Sequence, residues 1–452
     1  MPLAQRIPVY LSLALVMGTS VAFVQLADLA DSRTVTLALA GLLGLAGLVF
    51  TALDSLGFLC VILAFFPFTS GIFRFEFGIV TFSPYSAGLI LLAVQSAFLV
   101  LVRAKAYAMH SFDSWLLLLC MVFMASTLTS PDVVNTGFLA FHTLFLPTLA
   151  YFILRVQADS PERYRACIGF YLAGITCFNA LYLGQAIYHQ ERLTLLNVPP
   201  VSVATLALPT ALYLLYTGRT KLWAHRFAIL VCLSSLLLSL SRIYILSLAL
   251  SPLFMRAIRR GHARSLLAWT MALSLAVTLG MAALAPDMEV RTARDLGVAA
   301  GIDAEYRSDE GGLARLVSPT HWAKALMLRA VVFRITMKSF LEHPIMGAGT
   351  SRANILVTPH NIHMEWLEIG GVIGYLAYLA LLLCHFGRFQ GQATHDPDQA
   401  AHLLVVYVIL VNSLTNGFMH GYFSNVAFTV FGFAYSLEQA NRSAPSPREA
   451  LP

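Results

Sequence analysis

His360, His363, Glu365 and Glu368 fall within one short run, Thr358-Pro-His-Asn-Ile-His-Met-Glu-Trp-Leu-Glu-Ile-Gly-Gly-Val-Ile-Gly374, where a polar stretch of some 75 residues (286–360) enters an apolar one. Imidazole is the side chain best suited to accept a proton near neutral pH. Thr358 and Pro359 fit the N-cap and first helical position, which puts His360 and Asn361 in the first turn of the helix that follows. A helix N-terminus attracts phosphate and disfavours imidazolium, so His360 is expected to be a neutral base beside an anion. His363 shares a helical face with His360 and Leu367. It either stands beside the site or hydrogen-bonds at a helix interface. The spacing of His360, His363 and Glu365 is not HExxH, and no Asp-x-Asp pair accompanies it, so no metal is expected.

Two arginines supply the anion chemistry. Arg242, in Leu240-Ser-Arg-Ile-Tyr244, interrupts an apolar run from Phe227 to Phe254, and a charge at that depth needs a partner or a water-filled cavity. Either Arg242 snorkels as a structural residue or an anionic ligand completes it. Ser318 to Leu341 reads as an amphipathic helix with Leu326, Phe333, Met337 and Phe340 on one face and Lys324, Arg334 and Lys338 on a solvated opposite side. Arg329 borders the apolar face. It is a second anion contact or the partner of Glu342 or another loop carboxylate. Gly370, Gly371 and Gly374 have the spacing of close helix packing. His142, His402, His420, Asn412, Asn416 and Asn425 fall inside apolar runs with no stated direction.

The elements that must position these residues are transmembrane helices. The 452-residue chain is 58% hydrophobic and 12% charged, with a mean hydropathy of +0.73, about half the charge of a soluble domain. Its runs approach the roughly 20 residues that cross a bilayer as a helix and do not alternate as barrel strands do. Spans are expected near 8–26, 34–52, 54–72, 84–102, 113–129, 135–155, 164–187, 200–217, 225–240, 243–257, 265–285, 362–386, 401–417 and 422–437, about 12 to 14 in all because 225–257 and 401–437 consist of short halves. The fold expected is an all-α polytopic transmembrane bundle, divided into spans (1–285), one long outer loop containing helices (286–360), C-terminal spans (361–440) and a tail (441–452).

Lys and Arg collect in alternate connections, from Arg6 through Arg103, Lys105 and Arg256–Arg264 to Arg388 and Arg442. Both termini are therefore expected inside and the 286–360 loop outside. The first span lacks a cleavage site and reads as an uncleaved anchor. The net charge of +6 belongs to orientation, and no nucleic-acid partner is expected. The loop carries eight acidic and nine basic residues, so it exerts no strong net field. Six cysteines in or beside spans, without a CxxC, read as buried small apolar residues.

In order and spacing, Ser241-Arg242, then Arg329 to Phe340 leading into His343-Pro-Ile-Met-Gly-Ala-Gly349, then His360-Asn361 and the glycine-rich helix, resemble the shared core of bacterial O-antigen ligases and O-antigen polymerases. The resemblance covers roughly residues 225 to 390. It implies an inner-membrane glycosyltransferase that takes a glycan from undecaprenyl pyrophosphate on the periplasmic side. A ligase delivers it to a sugar hydroxyl of the lipid A core, a polymerase to another lipid-linked repeat. Carried over, the essential histidine falls on His360 and the arginines on Arg242 and Arg329, with Ser241, Asn361 and His363 in support. The leaving group is already on the sugar, so no cofactor is implied, in keeping with the absence of a phosphate-binding loop or Rossmann fingerprint. One long outer loop favours the ligase, with the O-antigen or exopolysaccharide polymerase as the alternative. A transporter of lipid-linked sugars is a third reading. It would place charges through many spans or show paired halves.

Overall fold

The computed structural model describes residues 54–68, 75–77, 80–102, 107–130, 133–189, 200–217, 222–239, 241–285, 319–349, 361–416 and 422–443. The expected spans 8–26 and 34–52, the loop segments 286–318 and 350–360 with His360, and the tail beyond 443 lie outside these residues.

The described chain is helical throughout except for one short hairpin, β1 (Phe75–Phe77) antiparallel to β2 (Val80–Phe82), with Glu76 opposite Thr81. Those two strands are absent from the sequence reading. The helices are α1 (Ser55–Phe65), α2 (Pro84–Leu101), α3 (Ser111–Thr129), α4 (Val133–Ala140), α5 (Leu146–Gln157), α6 (Pro161–His189), α7 (Pro200–Tyr216), α8 (Trp223–Leu238), α9 (Arg242–Arg259), α10 (Ala263–Leu284), α11 (Pro319–Glu342), α12 (Ile362–Ala393), α13 (Pro397–Asn416) and α14 (Tyr422–Ser443). A π turn, Phe141–Phe145, joins α4 to α5.

Local chemistry explains several helix starts. Pro84, Pro161, Pro200, Pro319 and Pro397 each open a helix, where a fixed φ helps and a missing N–H costs nothing. Ser83 accepts from the Ser86 amide at 3.1 Å, and Asp54 from Gly57 at 3.1 Å. These caps satisfy amides that the helix cannot.

Among the described residues, six segments are long and apolar enough to cross a membrane: 111–129, 136–157, 161–186, 263–284, 362–393 and 397–414. Shorter apolar helices cover 55–68, 85–101, 201–216 and 223–238. The chain is a multi-pass helical membrane protein. In a bilayer every backbone polar group must be paired within the protein, and helices do this segment by segment. The expected spans from 54–72 onward each coincide with a helix, or with α4 and α5 through their π turn.

Burial orders the bundle. Among the six segments, 397–414 is the most enclosed, 78% buried, and 263–284 the least, 22% buried. Trp269, Leu273 and Leu284 of α10 stay 77%, 68% and 89% exposed, the arrangement of a lipid-facing helix. Cys177 is likewise exposed and Cys384 half-buried, while Cys60, Cys120, Cys167 and Cys232 are buried as expected.

The bundle has two chemically distinct ends. At one, Asn361 before α12 meets Thr278 of α10 and the Leu414 carbonyl of α13. At the other, Arg388 of α12 meets Glu438 of α14, and Arg155 of α5 meets Asp113 of α3.

Candidate active site at the Asn361 end

The helix that follows His360 does not begin where expected. Asn361 (φ −149°, ψ 125°) is the N-cap and Ile362 the first helical residue, so Thr358 and Pro359 do not open α12 and His360 is not in its first turn. Asparagine is among the strongest caps. Its Oδ1 accepts from the His363 and Met364 amides at 3.0 and 3.2 Å. Its Nδ2 donates to Thr278 Oγ1 (3.2 Å) and the Leu414 carbonyl (2.8 Å). One side chain thus fixes the start of α12 against two other helices, and His360 is the residue immediately before it.

All residues from Asn361 to Gly370 are buried, so this segment is enclosed on every side. His363 is fully buried, with Ser274 Oγ 2.6 Å from Nε2 and Tyr375 Oη 2.8 Å from Nδ1. Both ring nitrogens are occupied by neutral partners within the protein, which is the hydrogen bonding at a helix interface named among its expected roles. Glu365 and Glu368 are 1% and 4% exposed, and Ser339 Oγ of α11 lies 3.5 Å from Glu368 Oε1.

α12 is broken just beyond these carboxylates. Gly371 has φ 60° and ψ −161°, neither helical nor accessible to an ordinary side chain. The loop 343–349 replaces the missing helical bonds: Ala348 N–H donates to the Glu368 carbonyl (2.6 Å), Val372 N–H to the Pro344 carbonyl (2.9 Å) and Ile373 N–H to the Ile345 carbonyl (3.3 Å). Ser126 of α3 donates to the Ile369 carbonyl. A Cβ on Gly371 would lie 2.3 Å from the Ile345 oxygen, and one on Gly347 (φ 78°) 2.3 Å from the Ile369 oxygen. The packing expectation holds for Gly370 and Gly374, whose added Cβ atoms would touch Val122 at 3.5 and 3.3 Å. Gly371 instead serves a backbone-to-backbone docking. Interrupted helices at membrane depth are sustained only where protein or a cavity satisfies them.

Arg242 and Arg329 belong to separate elements. Arg242 is the first residue of α9, and its N-cap Ser241 makes no side-chain cap bond. Ser241 is buried and turned back toward the Ser239 carbonyl (3.5 Å), so that helix end keeps its amide dipole uncapped by a side chain. This start of α9 belongs to the Asn361 end, since Asn412, near the end of α13, donates to Ser247 of α9 at 3.2 Å. Arg329 is half-buried on α11, the expected amphipathic helix. Burial, and then the Arg242 guanidinium nearby, lower the Arg329 pKa from its ordinary value.

The faces of α11 need correction. Phe333 is buried against Ala282 and Met364, with Met337 beside it, but Leu326 is 47% exposed. Lys338 is exposed as expected. Arg334 is not in a solvated stripe. Its Nη1 donates to the Ala283 carbonyl at 3.2 Å, with Ala282 O at 3.5 Å, capping the last turn of α10 where a cation opposes the dipole. An amphipathic wheel has no means of anticipating a helix end packed alongside.

Among the in-span polar groups, His402 bonds Tyr164 Oη at 2.9 Å and Asn412 bonds the Val408 carbonyl at 2.7 Å, both inside the bundle. Among the described residues, no three of His, Cys, Asp and Glu come close enough to hold a metal.

No protein-family model matches the chain. The phosphatidylserine decarboxylase proenzyme of Chlorobaculum tepidum is 29% identical to it over 66 residues, which is 15% of this chain and 28% of that protein. The match spans less than a third of that protein's length and shows no family.

Proposed function

We propose that this protein is an O-antigen ligase-like glycosyltransferase of the bacterial inner membrane, working at the periplasmic side with both termini in the cytoplasm. What supports the reading is the order of Ser241-Arg242, Arg329–Phe340 and His360-Asn361 in the chain, with the start of α9 and the Asn361 cap of α12 at one end of the bundle and the Arg242 charge acting on Arg329. A diphosphate is the anion that suits two guanidiniums and an uncapped helix start.

The donor is a glycan on undecaprenyl pyrophosphate and the acceptor a hydroxyl of the lipid A core. His360 takes the proton of that hydroxyl as its oxygen forms a bond to the anomeric carbon. The bond from that carbon to the phosphate oxygen breaks, and undecaprenyl pyrophosphate leaves with the electron pair, inverting the centre. Arg242 and Arg329 hold the departing charge. Asn361, by fixing the start of α12, sets where His360 stands. No cofactor or metal has a role in this scheme.

The test is product analysis with purified protein, undecaprenyl-pyrophosphate-linked glycan, and lipid A core added or omitted. Glycan on the lipid A core, lost with His360→Ala and reduced about 10²- to 10³-fold with Arg242→Ala or Arg329→Ala, is the expected result. A ladder of longer lipid-linked chains without the core identifies the polymerase instead. Full transfer by a folded His360→Ala protein removes the proposed base. Lipid or solute crossing a bilayer with no covalent product removes the enzyme.

A further inference from the structure

The end of the bundle opposite Asn361 carries a cluster of cations that the proposed reaction does not use. Arg256, Arg259 and Arg260 lie on the last turn of α9, and Arg264 follows one residue into α10; all four are exposed. Spacings of three and four residues put Arg256 beside both Arg259 and Arg260 on one helical face, where like charges repel. None of the four side chains makes an ion pair or hydrogen bond among the described residues. By contrast, Arg155 and Arg388 at the same end have carboxylates at 2.7 and 2.8 Å.

The turn that presents the cluster is rigid. Gly261 (φ 75°) takes the left-handed position that ends α9. Gly261 N–H donates to the Ile258 carbonyl and His262 N–H to the Ala257 carbonyl, each at 3.0 Å, and the Arg264 amide donates to Gln390 Oε1 at 2.9 Å. Along α9 the face bearing Arg256 and Arg260 continues into Leu253 (63% exposed) and Leu246 (52% exposed). Trp269, one turn beyond Arg264, is 77% exposed, as aromatic residues at a membrane boundary are. Fixed cations thus sit directly above a strip of lipid-facing aliphatic side chains.

We propose that this hairpin binds the headgroup of an anionic glycerophospholipid, with Arg256, Arg259 and Arg260 on the phosphate and one acyl chain along Leu253 and Leu246. A lipid meets both halves of the surface, since the phosphodiester relieves the repulsion among the guanidiniums and the chain covers the leucines. A soluble anion satisfies only the first.

The experiment compares full-length protein with Arg256→Gln/Arg259→Gln/Arg260→Gln in nanodiscs containing phosphatidylglycerol and phosphatidylcholine in equal amounts. Lipids retained after gentle release are counted by native mass spectrometry. The wild type is expected to keep phosphatidylglycerol in preference to phosphatidylcholine, and the glutamine variant to lose that preference by at least about tenfold. The triple lysine variant, which keeps the charge, is expected to retain most of it. Leu253→Asn is expected to weaken retention with all arginines present. Equal retention of the two lipids by the wild type, or an unchanged preference in the glutamine variant, overturns the proposal. Unfolding of the variants in detergent, followed by near-ultraviolet circular dichroism, separates loss of the site from loss of the fold, and a His360→Ala protein must bind lipid as the wild type does.

Discussion

The two ends of the bundle are held together in different ways. At the Arg155 end, the guanidinium of Arg155 donates to both Asp113 carboxylate oxygens at 2.7 and 2.8 Å, to Tyr107 and Tyr151 hydroxyls at 2.7 and 3.0 Å, and to the Ala108 carbonyl at 2.7 Å. Tyr107 stacks under it with 4.4 Å from Cζ to the ring centroid. Arg388 grips Glu438 through Nε and Nη2 at 2.8 and 3.0 Å. These cations are consumed by structure, locking α3, α5, α12 and α14 together. At the Asn361 end two cations are set near each other, beside a helix that has been broken and re-stitched by a loop. One end is held by matched charge, the other by a side-chain cap and a loop docked backbone to backbone.

Substitutions at the two ends are therefore expected to separate stability from activity. The largest effect belongs to Asp113→Ala, which strands a guanidinium that is 4% exposed and costs about 3–5 kcal/mol, read as a fall in the unfolding temperature in detergent. Transfer by whatever protein stays folded is expected to be intact. Arg329→Ala reverses that pattern, lowering transfer by about 10²-fold or more with an unfolding temperature near the wild type. If Arg329→Ala instead unfolds the protein as severely as Asp113→Ala does, the two ends do not differ and the comparison fails.

Gly371→Ala sharpens the comparison, because it attacks the re-stitched helix without touching charge. The positive φ and the 2.3 Å approach to the Ile345 oxygen are expected to cost about 1–3 kcal/mol and to lower transfer along with stability. Asn361→Ala removes the cap of α12 at about 1–2 kcal/mol, seen as a small drop in unfolding temperature. The drop in transfer should exceed it, since the proposed base is the residue immediately before that cap. The smallest effect belongs to Arg334→Ala, which removes a partly exposed C-terminal cap of α10 worth about 0.3–1 kcal/mol and should leave transfer unchanged.

Helix existence was legible because it follows from local quantities. Apolar run length located α1, α2 and the later spans. The amphipathic pattern of Ser318–Leu341 became α11 within a residue at each end. The caps were less legible. Thr358-Pro359 and Asn361 are all credible starts, and the choice fell to Asn361 because Thr278 and Leu414 stand where its amide can donate. Both are more than fifty residues away in the chain, so no local signal announces them.

Composition and spacing thus determined by themselves that the chain is a multi-pass helical membrane protein, and that Arg242, Arg329 and the His360-Asn361 junction are its chemically unusual points. Hydrophobic runs must cross a bilayer as helices, and a guanidinium in such a run demands an explanation. Only the tertiary structure decided that Arg155 and Arg388 are matched by Asp113 and Glu438, that His363 is tied to Ser274 and Tyr375, and that Gly371 breaks a helix so that loop 343–349 can pair with it. Each of those depends on directions and distances between segments remote in sequence, which periodicity along one helix does not encode.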